Sequence, residues 1–438
     1  MGDIEGRPRN RIAWVDMTDM LIWRGSFTGV QRVAYEYARR FAAEGARLCA
    51  YDVIADRYFE ITLDFIEKKQ KSDGLVPGEV VSLRKRLRNA LGTPYYALPE
   101  RYKRALRPLV AHTNRVVRYA LSGTIDKIKG RPSPYDGFPE AIFEDGDIVT
   151  LIGAGWNDAR AFSKLVELQP SMGFRISQHI NDILPIYQPQ LFADELPALF
   201  EEYMQKVIKH AEVITVISEA TKRDVEAYCN EHNVNGPRVE VVRLGDDVIA
   251  AAPIKPNEIA ADEEYIFALG TFEVRKNYIL LYQALKLAQL EGRDLPKIVI
   301  AGRKGWLSND VIHQIKHDPY MKDKLIWLNN VSDGELSWLF DHSLFTVFPS
   351  IAEGWGLPVV ESLCHGKFSL VSGVSSMLEI GEGLVDYFLP YDARECMEKL
   401  QYYLADKRYI AANEKVVKNY KVYTWDESYK SFKKAIIG

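Results

Sequence analysis

Pro349-Ser350-Ile351-Ala352-Glu353-Gly354-Trp355-Gly356-Leu357-Pro358-Val359-Val360-Glu361-Ser362 follows an apolar run, 344–348, that reads as a strand. The proline at 358 and the apolar spacing after it predict a helix over 358–365. The stretch is therefore a strand, a Gly-x-Gly turn and a helix start, with one carboxylate in the turn and another in the helix. Glycines let backbone N–H groups approach oxygen atoms closely. A helix N-terminus favours negative charge, and carboxylates accept hydrogen bonds from hydroxyls. Together these suit a ligand with a phosphate and two polyhydroxylated ends. Glu-x7-Glu spacing alone says little; its place between strand and helix carries the reading.

Outward from this turn, short apolar runs alternate with helical patterns, the signature of parallel α/β layers. In the first half, strands are expected over 11–16, 47–54, 147–152, 174–179, 213–217 and 239–243. Helices are expected over 30–44, 195–211 and 219–232. Residues 248–264, with Pro253 and Pro256 and no periodicity, read as a linker. In the second half, strands are expected over 265–270, 297–301, 325–328, 344–348, 368–371 and 385–389. Helices fall between them over 277–291, 308–317, 333–341, 358–365 and 393–405, and a last helix at 425–437 follows the second sheet. The expected organisation is a first α/β domain over 8–247 and a second over 265–420. Residues 421–438 form a terminal helix able to pack back on the first domain. In open α/β sheets ligands sit beyond the carboxyl ends of the strands, so a cleft between two such domains is the expected site.

The chain has 438 residues, 47% hydrophobic and 26% charged, with a net charge of −4. Two domains fit that length, and the charge gives no bulk attraction to nucleic acid. Cys49, Cys229, Cys364 and Cys396 form no CxxC, so they read as small buried hydrophobes rather than metal ligands. No Asp-x-Asp stands at a strand end, so no metal is expected. There is no apolar leader or spanning run, which predicts a cytoplasmic protein. Ile4-Glu5-Gly6-Arg7 reads as a protease-recognition sequence, and residues 1–7 are set apart from the fold.

Residues 55–146 break the alternation. Between positions 84 and 131 there are 13 Lys and Arg but only Glu100 and Asp126. Leu106, Leu109, Val110, Thr113, Val117 and Leu121 recur at near-helical spacing, with Lys103, Arg104, Arg107, Arg115 and Arg118 largely elsewhere. Several readings stay open. One is a helix packed internally with an exposed basic face. Another is an amphipathic helix that meets an anionic membrane surface. A third is a basic face that holds a lipid-diphosphate acceptor; nucleic acid lacks the aromatic stacking motifs that would favour it.

The 349–362 block resembles the donor-site signature of the retaining glycosyltransferases of family 4, of GT-B fold. Leu269-Gly270-Thr271-Phe272-Glu273-Val274-Arg275-Lys276-Asn277 resembles the same family's phosphate-binding turn, with Thr271 where many relatives have arginine. The resemblance implies two Rossmann-like domains facing an inter-domain cleft, and a nucleotide-sugar donor held mainly by the second. It implies that Glu353 lies near the donor sugar and that Glu361 binds the ribose. Gly354, Trp355, Gly356 and Leu357 would offer amides to sugar and phosphates, and Trp355 stands where the family more often has phenylalanine. Arg275 and Lys276 would neutralise the departing diphosphate. Gly29, before the first helix, resembles the loop that faces the diphosphate. His179, ahead of Asn181-Asp182-Ile183-Leu184-Pro185, resembles the histidine of a His-Asp-x-x-Pro loop, with one residue inserted. The roles of His179 and Asp182 stay open between them. Ser218 is either a strand-end site residue or a helix cap.

The expected activity is transfer of a hexose, GDP-mannose favoured over dTDP-rhamnose or a UDP-sugar, to a glycan or a lipid-diphosphate-linked glycan in cell-surface polysaccharide synthesis. No cofactor beyond the donor is implied. A nucleotide-sugar isomerase and a non-catalytic membrane scaffold of the same fold remain alternatives.

Overall fold

The computed structural model describes residues 12–23, 29–72, 133–247, 251–381 and 383–438. The basic stretch over 84–131 lies outside them. The chain divides into two compact units, Met1–Ile176 and Ser177–Gly438.

Among the described residues the first sheet has seven strands in the order β3-β2-β1-β4-β5-β6-β7. They are β1 Ala13–Asp16, β2 Arg47–Asp52, β3 Arg57–Ile61, β4 Ile148–Leu151, β5 Arg175–Ile180, β6 Val213–Val216 and β7 Arg238–Val241. β1, β4 and β6 are buried at every residue. Near-continuous apolar runs of this kind, interrupted only by Asp16, Thr150 and Thr215, mark strands covered on both faces. β3 runs antiparallel to β2 and falls where the sequence predicts only irregular chain. The helices Thr18–Ile22, Leu63–Ser72 and Arg160–Met172 also add to the expected set. The last of these contains Pro170 and ends on left-handed Gly173, two breakers that weaken its helical pattern in sequence.

Among the described residues the second sheet has six strands in the order β10-β9-β8-β11-β12-β13, paired in parallel throughout. They are β8 Tyr265–Leu269, β9 Lys297–Ala301, β10 Leu325–Leu328, β11 Thr346–Phe348, β12 Ser369–Ser372 and β13 Val385–Phe388. Each lies within two residues of its expected bounds. Ile266, Leu281, Ile298, Val347 and Leu370 lie in one core cluster. Tyr265, Phe267, Val299 and Leu339 lie in another. In this strand order the direction of winding reverses between β8 and β11. The crevice beyond their carboxyl ends is the topological switch point. The turns that leave it are 270–277 and 349–356, the two stretches singled out in sequence.

Residues 251–264 form no helix or strand. They are nonetheless anchored: Ile259 is buried in the second core cluster, and Ile254 N donates to Gly334 O at 2.9 Å. The terminal helix Trp425–Ile437 buries Trp425, Tyr429, Phe432 and Ile436 on one face. Its N-terminus carries a capping box from Thr424 and Glu427. Ser428 Oγ donates to Arg243 O at 2.6 Å, and the Phe432 ring lies 5.2 Å from His179. Cys49, Cys229 and Cys396 are buried, but Cys364 is only half-buried. Burial, with Asp246 and Glu361 nearby, pushes the Cys364 thiol up to about 12.

Candidate functional site

The site is built where backbone meets backbone at the switch point. Gly270 has φ +150° and Gly302 φ +152°. A Cβ on Gly302 would stand 2.0 Å from the Gly270 carbonyl oxygen, so the ends of β8 and β9 admit no side chain there. The turn after β8 closes on Asn277, left-handed at φ 58°, a conformation asparagine tolerates better than most residues. Its Nδ2 donates to Pro349 O at 2.9 Å and to Pro390 O at 2.7 Å. Ile351 N donates to Arg275 O at 2.9 Å. These bonds tie the turn after β8 to the turn after β11.

Between the two turns lies a buried charge cluster. Glu353 Oε1 accepts from Lys276 Nζ at 2.6 Å and from Ser350 Oγ at 2.7 Å. Glu353 Oε2 accepts from Arg275. Arg275 also donates to Ala352 O at 3.0 Å and to Glu273 Oε1 at 2.8 Å. Glu353 is 7% exposed. Burial alone would raise its carboxyl, but Arg275 and Lys276 hold it down to about 2. Burial would lower Arg275, but Glu353, Glu273 and Asp182 hold it above its ordinary value. Burial raises Glu273 and Asp182, partly offset by Arg275. The two cations are thus matched by carboxylates of the chain itself.

The turn 349–356 is polarised. Its carbonyls are tied inward by serine hydroxyls. Ser372 donates to Ser350 O at 2.5 Å, Ser375 and Ser376 to Glu353 O at 2.8 and 2.7 Å, and Ser376 to Trp355 O at 2.8 Å. No hydrogen bond to an acceptor among the described residues is made by the N–H of Gly354, Trp355, Gly356 or Leu357. Carbonyls held in and amides left over make an anion-binding concavity. Gly356, at φ +140°, caps the helix Leu357–Cys364. A Cβ there would meet Ile380 at 2.6 Å and the Met377 sulfur at 2.7 Å. Glu361 is half-buried on the second turn of this helix, and its charge contributes to raising the Cys364 thiol.

The loop after β5 lies against the same turn. A Cβ on Gly354 would stand 2.5 Å from Asn181 O and 3.0 Å from Asp182 Oδ2. Leu184, Leu191 and Phe192 pack with Ala352, Ile351 and Val274, and Trp306 Nε1 donates to Leu191 O at 2.8 Å. His179 does not lie in this loop. It is the fifth residue of β5 and fully buried. Its Nδ1 is 3.0 Å from Thr215 Oγ1 on β6, and burial pushes its pKa down to about 3. Asp182 is the member of that motif that reaches the cluster. Ser218 caps the helix Glu219–Glu231, accepting from Thr221 N at 3.0 Å. The first two amides of that helix, Glu219 N and Ala220 N, donate to the Glu379 carboxylate at 2.8 and 2.7 Å.

The structure therefore brings together Arg275, Lys276, Glu353 and Gly354, with Trp355, Gly356, Leu357 and Glu361 in succession after them. It adds Glu273, Ser350, Ser375 and Ser376, to which sequence reasoning assigned no role. The Ser375-Ser376 pair just after β12 is the one local signal that could have drawn attention to any of them. In the other unit, Gly29 opens the helix Gly29–Ala43, and a Cβ there would meet nothing within 4 Å. That unit also has a cavity of about 230 Å³ lined by Asp16, Thr18, Asp19, Asn157, Asp158 and Arg160. It opens at the carboxyl ends of β1 and β4, again where the strand order reverses.

Residues 252–421 match the family described as glycosyl transferases group 1. The chain is similar to the serotype-specific mannosyltransferase WbdA of Escherichia coli, 27% identical over 237 residues, 50% of this chain and 29% of WbdA. It is similar to the O-antigen chain mannosyltransferase RfbU of Salmonella typhimurium, 24% identical over 215 residues, 49% of this chain and 57% of RfbU. The matched region spans less than a third of WbdA and little more than half of RfbU. Among solved structures, sucrose-phosphate synthase of Thermosynechococcus elongatus superposes with a TM-score of 0.59 at 14% identity, covering 97% of this chain and 98% of that one. Anabaena HepE in complex with UDP and glucose gives 0.58 at 12% identity, covering 97% and 99%. The two α/β sheets are those of the GT-B fold.

Proposed function

We propose that this chain, whose residues 252–421 carry the group 1 glycosyl transferase pattern, transfers a hexose from a nucleotide-sugar to a glycan acceptor. One observation carries the reading. At the switch point of the second sheet, Glu353, Arg275 and Lys276 share one buried cluster beside four amides without a bonded acceptor. The diphosphate lies against the amides and the two cations, Glu361 accepts from the ribose, and Glu353 and Asp182 border the sugar. The bond from the anomeric carbon to the phosphate oxygen breaks, and negative charge grows on the departing diphosphate. Arg275, Lys276 and the amides are preorganised for that charge. The acceptor oxygen attacks the same face, and its proton passes to the departing phosphate, so the anomeric configuration is retained. Two fixed cations and the amide cradle supply the charge stabilisation that a divalent metal provides elsewhere, so no metal is needed.

GDP-mannose is the favoured donor, because the relatives WbdA and RfbU are named mannosyltransferases. The acceptor is a glycan or lipid-linked glycan presented at the cytoplasmic face of a membrane. No helix among the described residues is long and apolar enough to cross a membrane.

Calorimetric titration with GDP, UDP and dTDP tests the site, followed by radiolabel transfer from the matching sugar nucleotide to membrane-derived glycans. Binding of one nucleoside diphosphate is expected, weakened by about 10- to 100-fold in Glu361→Ala with transfer reduced alongside. Absence of binding by all three at millimolar concentration overturns the reading.

A further inference from the structure

Arg243 stands two residues beyond β7 and touches three stretches of chain at once. Its Nη2 donates to Asp246 Oδ2 at 2.5 Å and to the Tyr420 hydroxyl at 2.9 Å. Its guanidinium carbon lies 5.5 Å from the Trp355 ring centroid and 5.0 Å from that of Tyr423, both within cation–π range. Asp246 Oδ2 also accepts from the Tyr420 hydroxyl at 2.5 Å and from Tyr423 N at 3.2 Å. Asp246 N donates to Tyr423 O at 2.7 Å. One guanidinium nitrogen donates to both the carboxylate and the phenol, while the delocalised charge lies over two aromatic rings, a combination that suits arginine better than lysine.

The location gives the contact its meaning. The chain leaves the first sheet through 242–247 and returns from the second through 418–424. Those crossings are joined through Asp246, Tyr420 and Tyr423, and Arg243 joins both to Trp355 in the middle of the turn 353–357. Trp355 is 5% exposed, and its own carbonyl is held by Ser376, so the indole is the handle by which the turn is gripped from outside its own sheet.

We propose that Arg243 is a positioning residue for the 353–357 turn: by stacking on Trp355 it fixes the turn's amides against the two crossing segments, so that ligand binding at the turn and the geometry of the crossings are coupled. The coupling to ligand rests on the function proposed above; the positioning of the turn does not.

The test is hydrogen exchange on the full chain without ligand, followed through peptides covering 350–358, in which Ile351 N reports through its bond to Arg275 O, with GDP titration alongside. Arg243→Lys keeps a cation beside Asp246 and loses the planar stack. It is expected to speed exchange in 350–358 and to weaken GDP binding, each by about 5- to 30-fold, while peptides from β8–β10 exchange as in the wild type. Tyr420→Phe removes the hydroxyl that braces the guanidinium and is expected to act in the same direction by a smaller factor. It serves also where Arg243→Lys does not fold. If both variants leave exchange in 350–358 at the wild-type rate, Arg243 serves only to neutralise Asp246 and the proposal is overturned. If exchange there speeds while the wild type binds none of GDP, UDP and dTDP, the positioning role is supported and the glycosyl-transfer reading falls.

Discussion

Glu353→Gln separates two effects that most site variants confound. In the wild type the carboxyl is held at about 2 against an ordinary 4.5. That difference corresponds to about 3 kcal/mol in favour of the charged, folded form. Breaking a buried ion pair by removing one partner has a similar cost, about 3–5 kcal/mol. Because the folded pKa is depressed, the contribution is present above pH 4.5 and is lost as pH falls toward 2. Urea unfolding at pH 7 should therefore show the variant less stable by about 3 kcal/mol, with the gap to wild type closing on acidification through that window. Nucleotide binding should move the other way. Lys276 and Arg275 lose the anion that matches them, and removing a unit charge from about 5 Å of a phosphate is worth up to about 3 kcal/mol at an effective dielectric of about 20. After local rearrangement, GDP should bind about 10-fold tighter by calorimetry, while transfer falls by at least about 100-fold. Weaker GDP binding in step with the lost stability would refute the idea that Glu353 and the diphosphate compete for the same cations.

Gly354→Ala should reduce transfer by at least about 100-fold, because the new Cβ would stand 2.5 Å from the Asn181 carbonyl oxygen. Near-normal kinetics in a steady-state assay would show that the loop after β5 moves aside. Glu361→Ala should weaken donor binding by about 10- to 100-fold, the worth of one or two hydrogen bonds to a charged group, as read by calorimetry. An unchanged affinity would remove Glu361 from the ribose. His179 is kept neutral by burial, with its pKa pushed down from 6.5 to about 3. The folded state therefore resists its protonation, and stability falls as pH drops below 6.5. In His179→Gln that part of the acid destabilisation should vanish from melting curves taken between pH 7 and pH 4, and identical pH dependence in both proteins would contradict it.

The strands of both sheets were legible because buried parallel strands are near-continuous apolar runs and the breaks between them carry glycine or proline. β3 was not, since Arg57-Tyr58-Phe59-Glu60-Ile61 is short, edge-placed and bounded by charge. His179 reads in sequence both as the last residue of a strand and as the opening of a loop motif; β5 runs on through Ile180, so the histidine stays in the strand and Asp182 in the loop. At the site, sequence pointed to Arg275 and Lys276 as cations awaiting a phosphate. It had no means to show that Glu353, some 77 residues away, already engages both. Nor did it single out the serines that pin the turn, because isolated hydroxyls are common and only their convergence on three carbonyls gives them a task. Trp355 was noticed as a departure from the usual phenylalanine, yet its partner Arg243 lies 112 positions earlier in the chain, beyond the reach of any local pattern.

Glu379 bears on how this protein can be taken apart. Its carboxylate, in the short helix Met377–Ile380 after β12, finishes the N-terminal cap of Glu219–Glu231. Ser218 satisfies one orphan amide of that helix and Glu379 satisfies two more. A helix belonging to one sheet thus depends for its beginning on a side chain belonging to the other. Exchanging the second sheet for a relative's, the obvious way to transplant donor preference, would leave those two amides bare unless the incoming segment places an acidic residue at the same point. A graft joined at the linker alone would inherit the turn 349–356 and lose a helix start. The unit that can be swapped is therefore set by this cap rather than by the sheet boundary.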